Sequence, residues 1–191
     1  MNRTRKAIYI NDHLSDFDLD EALTRLSEQR REQALRFKHE AGRRQCTAAY
    51  LLLCEALTQE YGITEKPVFE YGPHGKPFII GHPEIFFNLS HCREAAVCVV
   101  SDTPVGIDVE SIREYKDTLV RYTMNDDEIA QILGNERPDV AFISLWTRKE
   151  AVLKLSGEGI SKDMKDVLVG YNRPIDTFVV ESRGYIYSVA R

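Results

Sequence analysis

The sequence contains no C-x-x-C pair. Cys46, Cys54, Cys92 and Cys98 stand apart, most of them in apolar runs, which argues against a zinc or disulfide framework and for free thiols in a reducing cytoplasm. Its five histidines (13, 39, 74, 82 and 91) show no metal-ligand spacing. It has no excess of positive charge. At a formal net charge of −5 over 191 residues, no global field draws it to nucleic acid or to an anionic membrane, so any anionic ligand must be held by a local basic cluster. Long hydrophobic runs are missing too. The longest, AAYLLLCEAL, is broken by Glu55, and the AIYI of the basic start is too short for a signal peptide. The P-loop pattern G-x-x-x-x-G-K-[ST] is absent, which removes the commonest phosphoryl-transferase design. Linkers, low-complexity tracts and repeats are absent as well, leaving one domain or two small halves that share a core.

The elements alternate without a strict βαβ rhythm, which predicts an α+β fold. AIYI (7–10) reads as a strand. The segment 18–38 has helical spacing at Leu19, Leu23 and Leu26 behind an Asp18/Glu21 capping box, and a second helix covers 40–61 with Gly62 as its stop. YGPHGKPFIIG is rich in turn residues, and IFFNLS is a strand. AAVCVV and VGIDVE read as a hairpin through SDTP (101–104), where a division into halves 1–102 and 103–191 is expected. NDDEIAQILG is a short helix with Asn125 and Glu128 as capping box. DVLVGY is a strand, followed by a hairpin through ESRG.

Chemistry gathers at two stretches. In VGIDVE, a strand puts Val105, Ile107 and Val109 on one face and Gly106, Asp108 and Glu110 on the other. Carboxylates two residues apart, at ~6.6 Å between Cα atoms, can approach one hard cation, and an oxygen-only pair suits Mg2+ bound with substrate phosphates. Gly106 leaves space beside them for a bulky ligand; plain alternation on a half-exposed strand is the other reading. In WTRKEAVLK, the helical stripe Phe142, Leu145, Trp146, Val152 and Leu153 is interrupted by Lys149, while Glu150 and Lys154 form an i,i+4 pair. Glu150 is the natural third ligand, or half of a surface ion pair. Lys76 in GKPF is a solvated turn lysine or a ligand cation. Ser90 and His91 in FNLSHC could meet a phosphate, or His91 could be a buried, satisfied histidine.

VGIDVE, WTRKEAVLK 42 positions on from Asp108 to Glu150, and the GEGIS that follows together resemble the paired signature of the 4′-phosphopantetheinyl transferases of the surfactin-synthetase-activating type. GKPF and FNLSHC resemble that family's upstream elements in the right order, and Arg44 before QCTAAYLLL is similar to its ligand-binding arginine. The match spans about residues 44 to 161, with Cys92 where the family usually has Ser or Thr.

The resemblance implies two similar α+β halves in a monomer, with the active site in the cleft between them. It implies transfer of the 4′-phosphopantetheine arm of coenzyme A to a serine of an apo acyl or peptidyl carrier protein, releasing 3′,5′-ADP. Asp108, Glu110 and Glu150 would hold Mg2+, with Glu150 also the base. Lys154, with Lys149 beside it, would face the pyrophosphate. Arg44, Lys76, Pro77, Ser90 and His91 would hold the 3′-phosphate and adenine end. Arg113, Lys116 and Arg121 form a basic group that an acidic carrier helix could meet, or a plain solvated face. The competing readings are another Mg2+-dependent phosphoryl or nucleotidyl transferase, and a non-catalytic module that binds coenzyme A or a carrier.

Overall fold

The computed structural model describes residues 5–157 and 163–191. Strand β1 (Lys6–Asn11) leads into helices α1 (Leu19–Thr24), α2 (Glu28–Leu35) and α3 (Glu40–Tyr61). A short hairpin follows, β2 (Phe69–Tyr71) and β3 (Pro77–Ile79), and then β4 (Phe86–His91) and β5 (Ala96–Ser101). The remainder runs β6 (Gly106–Ser111), α4 (Asp117–Thr123), α5 (Asp126–Leu133), α6 (Pro138–Ser156), β7 (Ile175–Val180) and β8 (Tyr185–Ala190). The fold is α+β.

Two three-stranded antiparallel sheets have the orders β1-β5-β4 and β6-β8-β7. In each, the first strand is separated from the other two by a long helix, and the last strand takes the middle place. The sheets face each other across a core of Val97 and Val99 from β5, Ile107 and Val109 from β6, and Tyr185, Tyr187 and Val189 from β8. On the outer side of the first sheet, Ala96, Cys98 and Val100 pack against α3 through Tyr50, Leu53 and Leu57. On the outer side of the second, Ile186 and Ala190 pack with residues of α6. All six residues of β5 are therefore buried, which explains why AAVCVV is apolar without alternation.

Three expectations need correction. The segment 18–38 is two helices, because Ser27 caps a new one, its hydroxyl accepting from the Arg30 amide at 3.4 Å. Asp18 caps α1 as expected, accepting from the Glu21 amide at 2.9 Å. The strands β5 and β6 form no hairpin: both edges of β5 are taken by β1 and β4, so β6 pairs with β8 instead. DVLVGY is not a strand; a 3-10 turn at Met164–Asp166 and the bend after it carry Met164 and Val167 into the core beside α6. The turn-rich 71–81 contains part of the β2–β3 hairpin, and α4 had no forecast. Among the described residues, no helix is long and apolar enough to cross a membrane.

Candidate active site

The site forms where α6 crosses β6. At Gly106 a Cβ would lie 2.1 Å from the Ala151 carbonyl oxygen and 2.5 Å from the Leu155 nitrogen. The missing side chain makes room for the backbone of α6, which corrects the expectation of room for a ligand. This close approach delivers Lys154 to the acidic face of β6. Its Nζ donates to Asp108 Oδ1 at 2.6 Å and to Ser90 Oγ at 2.9 Å, and Ser90 Oγ donates to Asp108 Oδ1 at 2.9 Å. The single hydroxyl hydrogen of Ser90 is thereby committed to Asp108.

Asp108 Oδ2 is buried and has no partner among the described residues. Glu110 and Glu150 are half-buried, and both carboxyls are held above the usual range, by burial first and by the charge of Asp108 second. One lysine among three carboxylates leaves negative potential, and the donors are all oxygens, so the residues fit a hard divalent cation. Among the described residues, no group of three or more His, Cys, Asp or Glu is arranged to hold a metal ion as it stands.

Beside these acids is a cavity of about 510 Å³ lined by Lys76, Pro77, Ser90, His91, Glu150 and Lys154, together with Arg30, Gln33, Asn88 and His74. That volume is in the range of small-molecule sites. His91 is pushed down to about 4, by burial first and then by the charges of Arg30 and Lys154, so it is neutral near pH 7. The Phe37 ring meets it edge-on at 6.4 Å. Lys76 is no solvated turn lysine. Its Nζ donates to the carbonyls of Lys154 and Leu155, both at 2.8 Å, capping the C-terminal end of α6 with a cation. Burial lowers its pKa.

Two expected site residues are not brought here. Arg44 donates to Glu40 at 2.7 Å and to the Phe17 carbonyl at 2.7 Å, with its guanidinium over the Phe17 ring, and it lines a separate depression beside Asp12 and His13. Its place in the cavity is taken by Arg30 of α2, which the sequence reading missed. The signal was Ser27: a helix starting there puts Arg30 and Gln33 one turn apart on a common face. Lys149 does not lie beside Lys154. It is fully buried on another side of α6, donating to Glu128 Oε2 at 2.6 Å and to the carbonyls of Met164 and Thr123 at 2.7 and 2.9 Å. All three ammonium hydrogens are spent on structure. Arg113, Lys116 and Arg121 are exposed at and after the end of β6. Residues 158–161 of GEGIS lie outside the described residues.

The arrangement of an acidic strand, a lysine-bearing helix and a cationic cavity meets a sequence match. Residues 104–180 match the model of the 4′-phosphopantetheinyl transferase superfamily, and the chain belongs to that superfamily. Among its curated relatives, it is 34% identical over 139 residues to the 4′-phosphopantetheinyl transferase psf-1 of Bacillus pumilus, covering 71% of this chain and 60% of that one. It is 33% identical over 153 residues to the 4′-phosphopantetheinyl transferase HetI of Nostoc sp. PCC 7120, covering 75% and 65%. To the 4′-phosphopantetheinyl transferase Sfp of Bacillus subtilis strain 168 it is 25% identical over 157 residues, covering 81% and 70%. The aligned part of the chain thus spans 60 to 70% of the length of these relatives.

Proposed function

We propose that the protein transfers the 4′-phosphopantetheine arm of coenzyme A to a serine hydroxyl of an acyl or peptidyl carrier protein, releasing 3′,5′-ADP. The observation that carries this reading is that Lys154 and Ser90, both bonded to the buried Asp108, stand on the wall of a cavity that also holds Glu150, His91, Lys76 and Arg30, in a chain of this superfamily.

Coenzyme A carries a pyrophosphate and a 3′-phosphate, so its reaction calls for positioning and charge stabilisation more than covalent help from the protein. Lys154 faces the pyrophosphate, with neutral His91 as a hydrogen-bond donor next to it. Arg30, Lys76 and Pro77 take the 3′-phosphate and adenine end, Arg30 serving where Arg44 was expected. Ser90 orients Asp108 and Lys154 rather than the ligand, because its hydrogen is already committed. Glu150 accepts the proton of the carrier serine. Asp108, Glu110 and Glu150 would hold Mg2+, which when bound supplies Lewis-acid polarisation of the pyrophosphate.

The cavity draws on residues before and after residue 102, which supports an N-terminal half (1–102) for the nucleotide and a C-terminal half (103–191) for the acids. The shared strand order supports two similar halves, and one chain supplies every named side chain, consistent with a monomer. The four free cysteines suit the cytoplasm.

Mass spectrometry of a purified apo carrier protein incubated with coenzyme A, Mg2+ and the protein tests the reading. A gain of one phosphopantetheine arm is expected. Binding of coenzyme A with no gain on any of several carriers would overturn it in favour of a non-catalytic module.

A further inference from the structure

Strands β4 and β6 lie side by side, yet they belong to different sheets and share no backbone ladder. Two side chains of β4 bridge them instead. Asn88 Oδ1 accepts from the Ile107 amide at 3.0 Å, and Ser90 Oγ accepts from the Val109 amide at 3.4 Å. The register advances by two on both strands, so the junction is parallel. A backbone N–H only donates, so the carboxamide must turn its oxygen to Ile107, and the orientation of Asn88 is fixed by chemistry. Asn88 and Ser90 are both buried.

The consequence is geometric. A direct ladder would draw the strands to ~4.8 Å, whereas side-chain spacers hold them farther apart. The cavity lies beside that seam, lined by Asn88, Ser90 and His91 of β4 and by Lys154 of α6, which reaches Asp108 of β6. The two bridged amides also flank Asp108, whose Oδ1 must meet Ser90 and Lys154 at once. Ser90 alone would hold the β6 backbone by one long bond, beside its own bond to the Asp108 side chain. Asn88 supplies the second and shorter attachment to the β6 backbone.

We infer that Asn88 is a positioning residue for the transfer reaction, holding β6 at the separation from β4 that aligns Asp108 with the cavity. This rests on the transferase reading above. Its effect belongs in kcat, because Asn88 sets the acidic wall while the cations that take the nucleotide sit on other elements.

The test compares wild type, Asn88→Ala and Val100→Ala, the last a core residue of β5 facing α3 and away from the seam. Asn88→Ala should lower kcat for carrier modification roughly 30- to 100-fold, the scale of a small misplacement of reacting groups, with KM for coenzyme A within about threefold. Val100→Ala should leave both constants within about threefold at temperatures where it is folded. Amide hydrogen exchange at Ile107 should accelerate in Asn88→Ala more than at Val99. Should Asn88→Ala not fold, Asn88→Ser, which keeps a shorter acceptor, should show the same split at reduced size. A wild-type kcat in the Asn88 variant, a loss confined to KM, or an equal kcat loss in Val100→Ala would overturn the inference. A wild-type protein that adds no arm to any carrier would instead overturn the transferase reading on which it rests.

Discussion

Replacing Lys149 by methionine should unfold the protein more readily without disabling its chemistry. The ammonium is fully buried and sits 2.6 Å from Glu128, with the carbonyls of Thr123 and Met164 as its other partners. Lys149→Met keeps most of the volume but leaves Glu128 as an uncompensated, almost fully buried charge, a change worth about 3–5 kcal/mol. Against a total stability of about 5–15 kcal/mol, that is a large fraction. For a chain of this size each kcal/mol moves Tm by ~2–4 °C, so a fall of roughly 6–20 °C is expected in a thermal melt. The double variant Lys149→Met with Glu128→Leu should regain part of the loss, since an apolar pair can replace a buried ion pair. Recovery should stay incomplete because two buried carbonyls lose their donor, at about 1–3 kcal/mol each. At temperatures where both variants are folded, kcat per folded molecule should remain within about threefold of wild type. A Lys149→Met protein with unchanged Tm and a rate down by more than about a hundredfold would refute the reasoning and return Lys149 to the catalytic group.

Gly106→Ala should be among the most damaging small substitutions, because its methyl would meet the Ala151 carbonyl at 2.1 Å; a loss of about 1–3 kcal/mol or more in denaturant titration is expected. Asp108→Ala should reduce the transfer rate at least ~10³-fold, about 4 kcal/mol, and EDTA should abolish wild-type transfer until Mg2+ is returned; full activity in either case would sink the metal assignment. Burial holds the folded-state pKa of His91 down to about 4 from 6.5, so the unfolded chain takes up its proton first as pH falls. The stability this represents is complete above pH 6.5 and declines by at most about 3 kcal/mol as the pH drops toward 4, and His91→Gln should flatten that part of the pH–stability profile.

How much of this was legible follows from the range over which each signal acts. The alternation in VGIDVE could be read because it is local: Ile107 and Val109 do enter the core between the sheets, and Asp108 does turn to α6. The caps at Asp18, Asn125 and Gly62 are local too, and the helices begin or end there. The supposed β5–β6 hairpin failed because turn residues describe a reversal of the chain and carry no record of which strand edges are already occupied. Arg44 was expected from its similarity to the family's ligand-binding arginine, a likeness of pattern that carries no record of where the side chain turns. The site took the arginine from a two-turn helix whose start depended on one serine.

The helix α6 shows where a sequence pattern stops being informative. At 100° per residue, Lys149, Glu150 and Lys154 cannot all serve one site, since Lys149 and Lys154 diverge by 140° around the axis. Periodicity alone puts Lys154 on the side of Glu150, 40° away against 100° for Lys149, but it does not name what either lysine meets. Those partners lie far away in sequence: Glu128, 21 positions before Lys149, and Asp108, 46 positions before Lys154. Each lysine found the acid that its own side of the helix faced. Lys149 became structural because it is itself fully enclosed and all three of its hydrogens are satisfied inside the fold. Lys154 stayed available because its own side chain is 28% exposed and lines the cavity, with Asp108 buried behind it. What separates an anchor from a catalytic candidate here is access to that cavity, and the seam that Asn88 holds open between β4 and β6 is what provides it.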